Sequence, residues 1–223
     1  MRDDIRSIQQ GLIGLGYDLG RAGADGIYGP ATERAARAWI ARTGREAPAP
    51  EPISAGKLPT LSWLEEGKTV FGLHETRDNA RLKAWLRSDG KTLGDPKALP
   101  WCGDYVETAI KNALPSEPFT GPLGENPYWA RNWIFFGRTV NPCYGCVLVF
   151  QRPSGGHVGF AVGEDTTDYY VLGGNQSDSV NIVRISKSRL LPSGARWPST
   201  HGGDGVKLPI MSPGSIPRST NEF

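Results

Sequence analysis

Ile5, Ile8, Leu12 and Leu15 recur at helical spacing and stop at Gly16. The pattern predicts a short amphipathic helix with that face inward, closed by a left-handed glycine. Asp18 to Pro30 then turns repeatedly through Gly20, Gly23, Gly26 and Gly29. Proline is favoured in a first helical turn, so a second helix is predicted from Pro30 through Ala31, Ala35, Ala38 and Trp39, ending near Gly44. Helix, tight turn and helix within roughly 45 residues form a unit of marginal stability unless it packs unusually well.

From Arg45 to Thr60 prolines alternate with small and charged residues, which predicts a semi-extended tether. Helical spacing resumes with Leu61, Leu64, Val70 and Phe71, and again with Leu82, Trp85 and Leu86. A further helix is predicted to start at Cys102, just after Pro100 and Trp101, burying Val106, Ala109, Ile110 and Ala113 on one face. Then the period changes. Residues 147–150, 157–162, 169–172 and 181–185 read as strands with turn residues between them. Helices followed by a meander of strands make an α+β layout. The expected organisation is a helical domain at 1–45, a linker at 46–60, an α+β domain at 61–199 and an extended or disordered tail at 200–223.

Composition narrows the classes. A formal net charge of +2 over 223 residues is too small to argue for nucleic acid. Met1 to Arg6 is charged and lacks the apolar stretch of a secretory signal, and no apolar run approaches the ~18 residues of a membrane span. The expectation is a protein made in the cytoplasm and released to its target by another factor. Three cysteines exclude a complete disulfide framework.

The chemistry follows from three positions. A thiol at the start of a helix feels the positive end of the helix dipole and the unused N–H groups of the first turn, which favours the thiolate. Cys102 stands there, His157 opens a strand after Gly155-Gly156, and Asn175 ends the next strand in Gly173-Gly174-Asn175-Gln176. Nucleophile, base and an amide to orient the base, in that order, are the parts of a thiol hydrolase acting on amides. Cys143-Tyr144-Gly145-Cys146 is a lone C-x-x-C without the second pair a zinc site needs, and reads as adventitious against a redox or metal alternative. No metal and no cofactor is expected. Glu164, Asp165 and Asp168 read as a solvated hairpin tip, and His74-Glu75 as structural.

Two resemblances sharpen this. Ile8-Gln9-Gln10, Leu15-Gly16-Tyr17, Asp25-Gly26-Ile27-Tyr28-Gly29-Pro30-Ala31-Thr32 and Ala38-Trp39 together resemble the peptidoglycan-binding module of many wall-degrading enzymes. This implies peptidoglycan as partner, with Asp25, Tyr28 and Arg34 as candidate contacts, although Asp25 also suits a turn and cap role. Pro100-Trp101-Cys102, Gly156-His157-Val158-Gly159 and Leu172 to Gln176 are similar to the papain-like cysteine amidohydrolases and peptidases that cut peptidoglycan (CHAP-like). Gly72-Leu73-His74-Glu75 and Lys187-Ser188-Arg189-Leu190 resemble one branch common in phage and prophage genes. Asp104 departs from that pattern.

The resemblance implies a papain-like fold, catalysis by Cys102, His157 and Asn175, and a phage or prophage lysis enzyme cleaving a wall amide as amidase or endopeptidase. It would act at the cell wall or periplasm, or as part of a virion, with the tail as a candidate arm to a virion or lysis-system partner. Trp129 and Trp133 are candidates to line a substrate groove, although aromatics at this spacing more often belong to the core. The alternative is a non-catalytic wall-binding or virion-associated structural protein that keeps the fold.

Overall fold

The computed structural model describes residues 2–20, 22–27, 29–43, 58–153, 155–203, 205–211 and 216–219. The chain divides into two compact units, Met1–Ser54 and Ala55–Phe223. The greater part of the expected linker, residues 46–57, lies outside the described residues.

The first unit pairs helix α1 (Arg2–Gly14) with helix α2 (Pro30–Thr43). Its buried apolar residues are Leu12, Leu19 and Ala35. The inward stripe of α1 differs from the expected one: Ile8 and Leu15 are exposed, while the polar Gln9 is buried. The reason is hydrogen bonding. Gln9 Nε2 donates to Asp25 Oδ1 at 2.9 Å, the Ile27 carbonyl at 3.0 Å and Thr32 Oγ1 at 3.0 Å, and its Oε1 accepts from the Gly26 N–H at 2.7 Å. With so few apolar groups available, one buried amide that ties both helices to the turn sets the rotation of α1.

The second unit is α+β. Helices α3 (Ser62–Lys68), α4 (Asn79–Leu86), α5 (Cys102–Ala113) and α6 (Gly121–Glu125) lead into a 3-10 helix, Ala130–Phe135. Strands β1 (Arg138–Thr139), β2 (Val147–Arg152), β3 (Gly155–Glu164), β4 (Asp168–Gln176), β5 (Ser179–Ser186) and β6 (Leu190–Trp197) follow. They form one antiparallel sheet in the order β1-β6-β2-β3-β4-β5. The meander β2 to β5 comes from the four apolar runs. Strand β6 escaped the sequence pattern because Pro192-Ser193-Gly194 breaks its alternation, with Ser193 at φ 56° and a register shift against β2.

Helix α5 packs on β3 and β4 and against α3 and α4. It is buried all round from Cys102 to Ile110, rather than on the single face its periodicity predicts. Covered on both sides, it also buries Asp104, Glu107 and Thr108. Asp104 accepts from Thr92 Oγ1 and from the Leu93 N–H, both at 3.0 Å. Burial still pushes its carboxyl up to about 6, opposed by those two bonds. Burial and the neighbouring Asp89 push Glu107 up as well.

Two further expectations are corrected. Asp165 and Asp168 are not a solvated tip: both are buried and paired with Arg184, at 2.9 and 2.8 Å. Desolvation would raise Asp165, but the Thr167 and Asp168 N–H groups and the Arg184 guanidinium outweigh it and hold the carboxyl down at about 2. The described part of the tail is extended yet attached. The Glu164 N–H donates to the Pro209 carbonyl at 3.0 Å, the Met211 N–H to the Glu164 carbonyl at 2.8 Å, and Leu208 is buried. Arg218 Nε donates to Asp168 Oδ1 at 2.9 Å.

Candidate functional site

The site forms where the start of α5 meets the ends of β2, β3 and β4. Trp101 caps the helix and donates its indole N–H to Glu75 Oε2 at 2.8 Å, so Glu75 holds the residue before the thiol. Two glycines let the backbones close on this point. A Cβ at Gly174 would lie 2.4 Å from the Trp101 ring, and one at Gly103 would lie 2.4 Å from the Tyr128 carbonyl oxygen. The loop 127–129 therefore crosses directly over the first turn of α5 and brings Trp129 to the rim.

A cleft of about 140 Å³ results, lined by Cys102, Tyr128, Trp129, Arg152, Gly156 and Asn175 among others. Trp129 is half exposed, whereas Trp133 is fully buried and donates to the Pro127 carbonyl at 2.8 Å. A larger cavity of about 540 Å³ lies elsewhere in the unit, among Phe71, Tyr144, Val162 and Ile182. It is apolar and does not include Cys102, so the smaller cleft, which Cys102 and Arg152 line, is where chemistry is possible; the His157 ring lies buried behind Arg152.

Cys102 is a free thiol, 4 % exposed. Burial pushes it above the ordinary thiol value; Arg152, the Val158 N–H and the Gly103 N–H pull the other way without overturning that. Desolvation thus works against the stabilisation of thiolate that the helix start supplies.

His157 is fully buried. Its Nδ1 lies 2.9 Å from Arg152 Nη2, and its Nε2 lies 3.0 Å from Gln176 Oε1. A guanidinium only donates, so Nδ1 accepts and the ring proton sits on Nε2, donated to the Gln176 carbonyl oxygen. Gln176 is fully buried in turn, and its Nε2 reaches the Asn181 carbonyl at 2.8 Å and Asn181 Oδ1 at 3.0 Å. Arg152 thus bonds the imidazole, and its charge also reaches the Cys102 thiol, which is turned toward the N–H of Val158, the residue after His157.

The amide on the imidazole is thus that of Gln176, not Asn175 as the sequence reading had it. The backbone explains the shift. Asn175 has φ 57° and the β4–β5 register slips between Gly173 and Gln176. That bulge turns Asn175 into the cleft and Gln176 inward. The two adjacent amides were visible in the sequence, but which one faces the ring is a matter of strand geometry. Arg152 was missed altogether: its only sequence signal is a cation five positions before His157, at the end of an apolar strand.

In the first unit, Asp25 Oδ1 accepts from Gln9 Nε2 and from the Ile27 N–H at 2.8 Å, so this oxygen serves the turn. The Gln9 amide, then the Ile27 N–H, hold its carboxyl below the ordinary value. Arg34 is exposed on α2. Tyr28 lies outside the described residues. Cys143 and Cys146 are buried in the turn before β2, with the Cys143 N–H facing Cys146 Sγ at 3.4 Å. Among the described residues no cluster of His, Cys, Asp and Glu is arranged to hold a metal ion, and no helix is long and apolar enough to cross a membrane.

Residues 1–39 match the family model of the putative peptidoglycan binding domain. No curated protein and no solved structure matches the chain.

Proposed function

We propose that the chain is a cell-wall hydrolase: its first unit holds peptidoglycan and its second cleaves an amide bond there through Cys102. The match of residues 1–39 to a peptidoglycan-binding domain supports association with the wall. What supports the catalytic reading is the Cys102 thiol at the first turn of a helix, lining a cleft together with Arg152, whose guanidinium bonds the buried imidazole of His157 that Gln176 fixes on Nε2. The arrangement has the logic of a papain-like site on an α+β frame.

In the proposed reaction the Cys102 proton passes to His157 Nδ1 as the sulfur bonds to the substrate carbonyl carbon. The oxyanion is held by N–H groups of the first turn of α5, Cys102 foremost. Removing one such donor costs about 3 kcal/mol of barrier. The C–N bond then breaks, and the proton on Nδ1 leaves with the amine. Water attacks the thioester and returns its proton through His157, the acyl group departs as a carboxylic acid, and the thiol is restored. Gln176 keeps the ring aimed throughout by accepting from Nε2, and fixes its tautomer whenever it is neutral. Asn175 and Trp129 shape the cleft. Holding the second unit to an insoluble polymer raises its local concentration at the substrate without adding contacts in the cleft. Amidase and endopeptidase both fit this chemistry, and a phage or prophage lysis enzyme is the origin it suits.

The test is turbidity loss of permeabilised bacteria with wild-type protein and with Cys102→Ala, followed by mass spectrometry of the released wall fragments. Lysis by wild type alone, with new amine and carboxyl ends at one bond, supports the reading. Equal lysis by both proteins removes Cys102 from the chemistry.

One observation favours a second reading. A thiol this buried, with a histidine whose Nδ1 is already occupied by Arg152, also suits a non-catalytic wall-binding or virion-associated protein. That reading predicts sedimentation with purified wall and no fragment release by either protein.

A further inference from the structure

The contact between Arg152 and His157 is at odds with simple thiol catalysis. The Nδ1 lone pair that must take the Cys102 proton is engaged by Arg152 Nη2 at 2.9 Å. One lone pair cannot accept from a guanidinium and bind a proton together. A protonated imidazole facing that fixed positive charge would also be disfavoured. In the structure as it stands, the base is blocked.

The same guanidinium belongs to the lining of the cleft over Cys102, and among the described lining residues it bears the only full charge. A second cation, Arg131, stands at the rim and donates through Nε to the Gly155 carbonyl at 2.8 Å. The cleft is therefore electropositive and shaped by small residues, Gly155 and Gly156, beside the half-exposed Trp129. A guanidinium fork binds a carboxylate through two charge-assisted hydrogen bonds, which outcompete one bond to a neutral ring nitrogen.

We propose that Arg152 is a carboxylate-reading latch: it occupies His157 Nδ1 until the free carboxylate of a peptide in the cleft draws it off and releases that nitrogen for the Cys102 proton. This deepens the hydrolase reading and rests on it. The preferred substrate is then a peptide carrying a free carboxylate close to the amide that is cut, and an amidated peptide leaves the base covered. No atoms beyond those of the hydrolysis are needed: the guanidinium exchanges one acceptor, the ring nitrogen, for another, the carboxylate.

The first experiment needs no turnover. The full chain is alkylated at neutral pH with iodoacetate and, separately, with its neutral counterpart iodoacetamide, and modification at Cys102 is followed by peptide mass spectrometry. The rate ratio of acid to amide at Cys102 is expected to exceed that of free cysteine. It should fall about tenfold in Arg152→Gln, as loss of one charge-assisted pair implies, and be largely kept in Arg152→Lys. A wild-type ratio no higher than that of free cysteine, or one unchanged in Arg152→Gln, overturns the proposal.

The second experiment reads the latch itself. N-acetylalanine should shift the 15N resonance of His157 Nδ1 in wild type, whereas N-acetylalanine amide should not, and Arg152→Gln should abolish the response. Equal shifts from acid and amide overturn it. The two readings fail separately. An anion preference at Cys102 without any wall cleavage ends the hydrolase reading and leaves the carboxylate site standing. Wall cleavage without that preference leaves the hydrolase and removes the latch.

Discussion

Replacing Gln176 by alanine separates the two amides at the end of β4. The Gln176 side chain is fully buried, accepts from His157 Nε2 at 3.0 Å, and offers its two amide protons to Asn181 O and Oδ1 at 2.8 and 3.0 Å. Truncation removes the acceptor of the imidazole and two amide protons, whose nitrogen also lies 3.2 and 3.3 Å from the Val171 and Gly173 carbonyls, and leaves a buried donor and buried acceptors to find water or go unpaired. At about 1 kcal/mol for each, Gln176→Ala should cost about 3 kcal/mol of stability, measured by urea denaturation at neutral pH. The imidazole also loses the group that fixes its aim, and a misplacement near 1 Å costs about a hundredfold in rate. Asn175→Gly is the matched control. It deletes the other carboxamide while keeping a residue suited to φ 57°, so stability should stay within ~1 kcal/mol. Ring 15N spectra should show His157 held as the Nε2–H tautomer in wild type and in Asn175→Gly, and released from it in Gln176→Ala. The opposite pattern, with Asn175→Gly freeing the ring and Gln176→Ala leaving it fixed, would refute the assignment of Gln176.

Three other outcomes are expected. Glu107 is raised by burial and by Asp89, so its neutral form is the one the fold prefers. The stability it contributes is complete below the ordinary value of 4.5 and is lost as pH climbs toward the raised value. Glu107→Gln, which keeps a donor toward Asp89, should melt higher than wild type in alkaline buffer, with the difference vanishing below about pH 4.5. Cys102 is raised by burial above its ordinary 9.0, so alkylation by iodoacetamide should still be accelerating as pH passes that value. A plateau below it would contradict the burial argument. Gln9→Ala removes the amide that ties α1 to the Asp25 turn and to Thr32, at a cost of about 3 kcal/mol by the same reckoning. In a unit whose buried apolar core is Leu12, Leu19 and Ala35, that should abolish sedimentation of the full chain with purified peptidoglycan.

The local chemistry of the chain was legible before any coordinates. Proline at the head of α2, the glycine turns, four apolar strands and a thiol at the start of α5 each follow from nearest-neighbour sterics and periodicity, which are written in the sequence. Strand β6 was not, because Pro192-Ser193-Gly194 disguises a strand that only its pairing with β2 sustains. Nor was the inward face of α1, since hydrophobicity alone places Ile8 inside, whereas the hydrogen bonds of Gln9 put it out. The acids Asp165 and Asp168 read as surface because the arginines that neutralise them, Arg184 and Arg218, are distant along the chain.

What the sequence determined by itself was the inventory: a wall-binding pattern at the front, and a cysteine, a histidine and an amide on a helix, a strand and a strand end. The tertiary structure decided their relations. It chose Gln176 over Asn175 through a bulge, brought Arg152 onto the base, and raised the thiol by closing α5 beneath the loop 127–129. Those are matters of distance and dielectric, and neither quantity exists until the strands have paired and the water has gone.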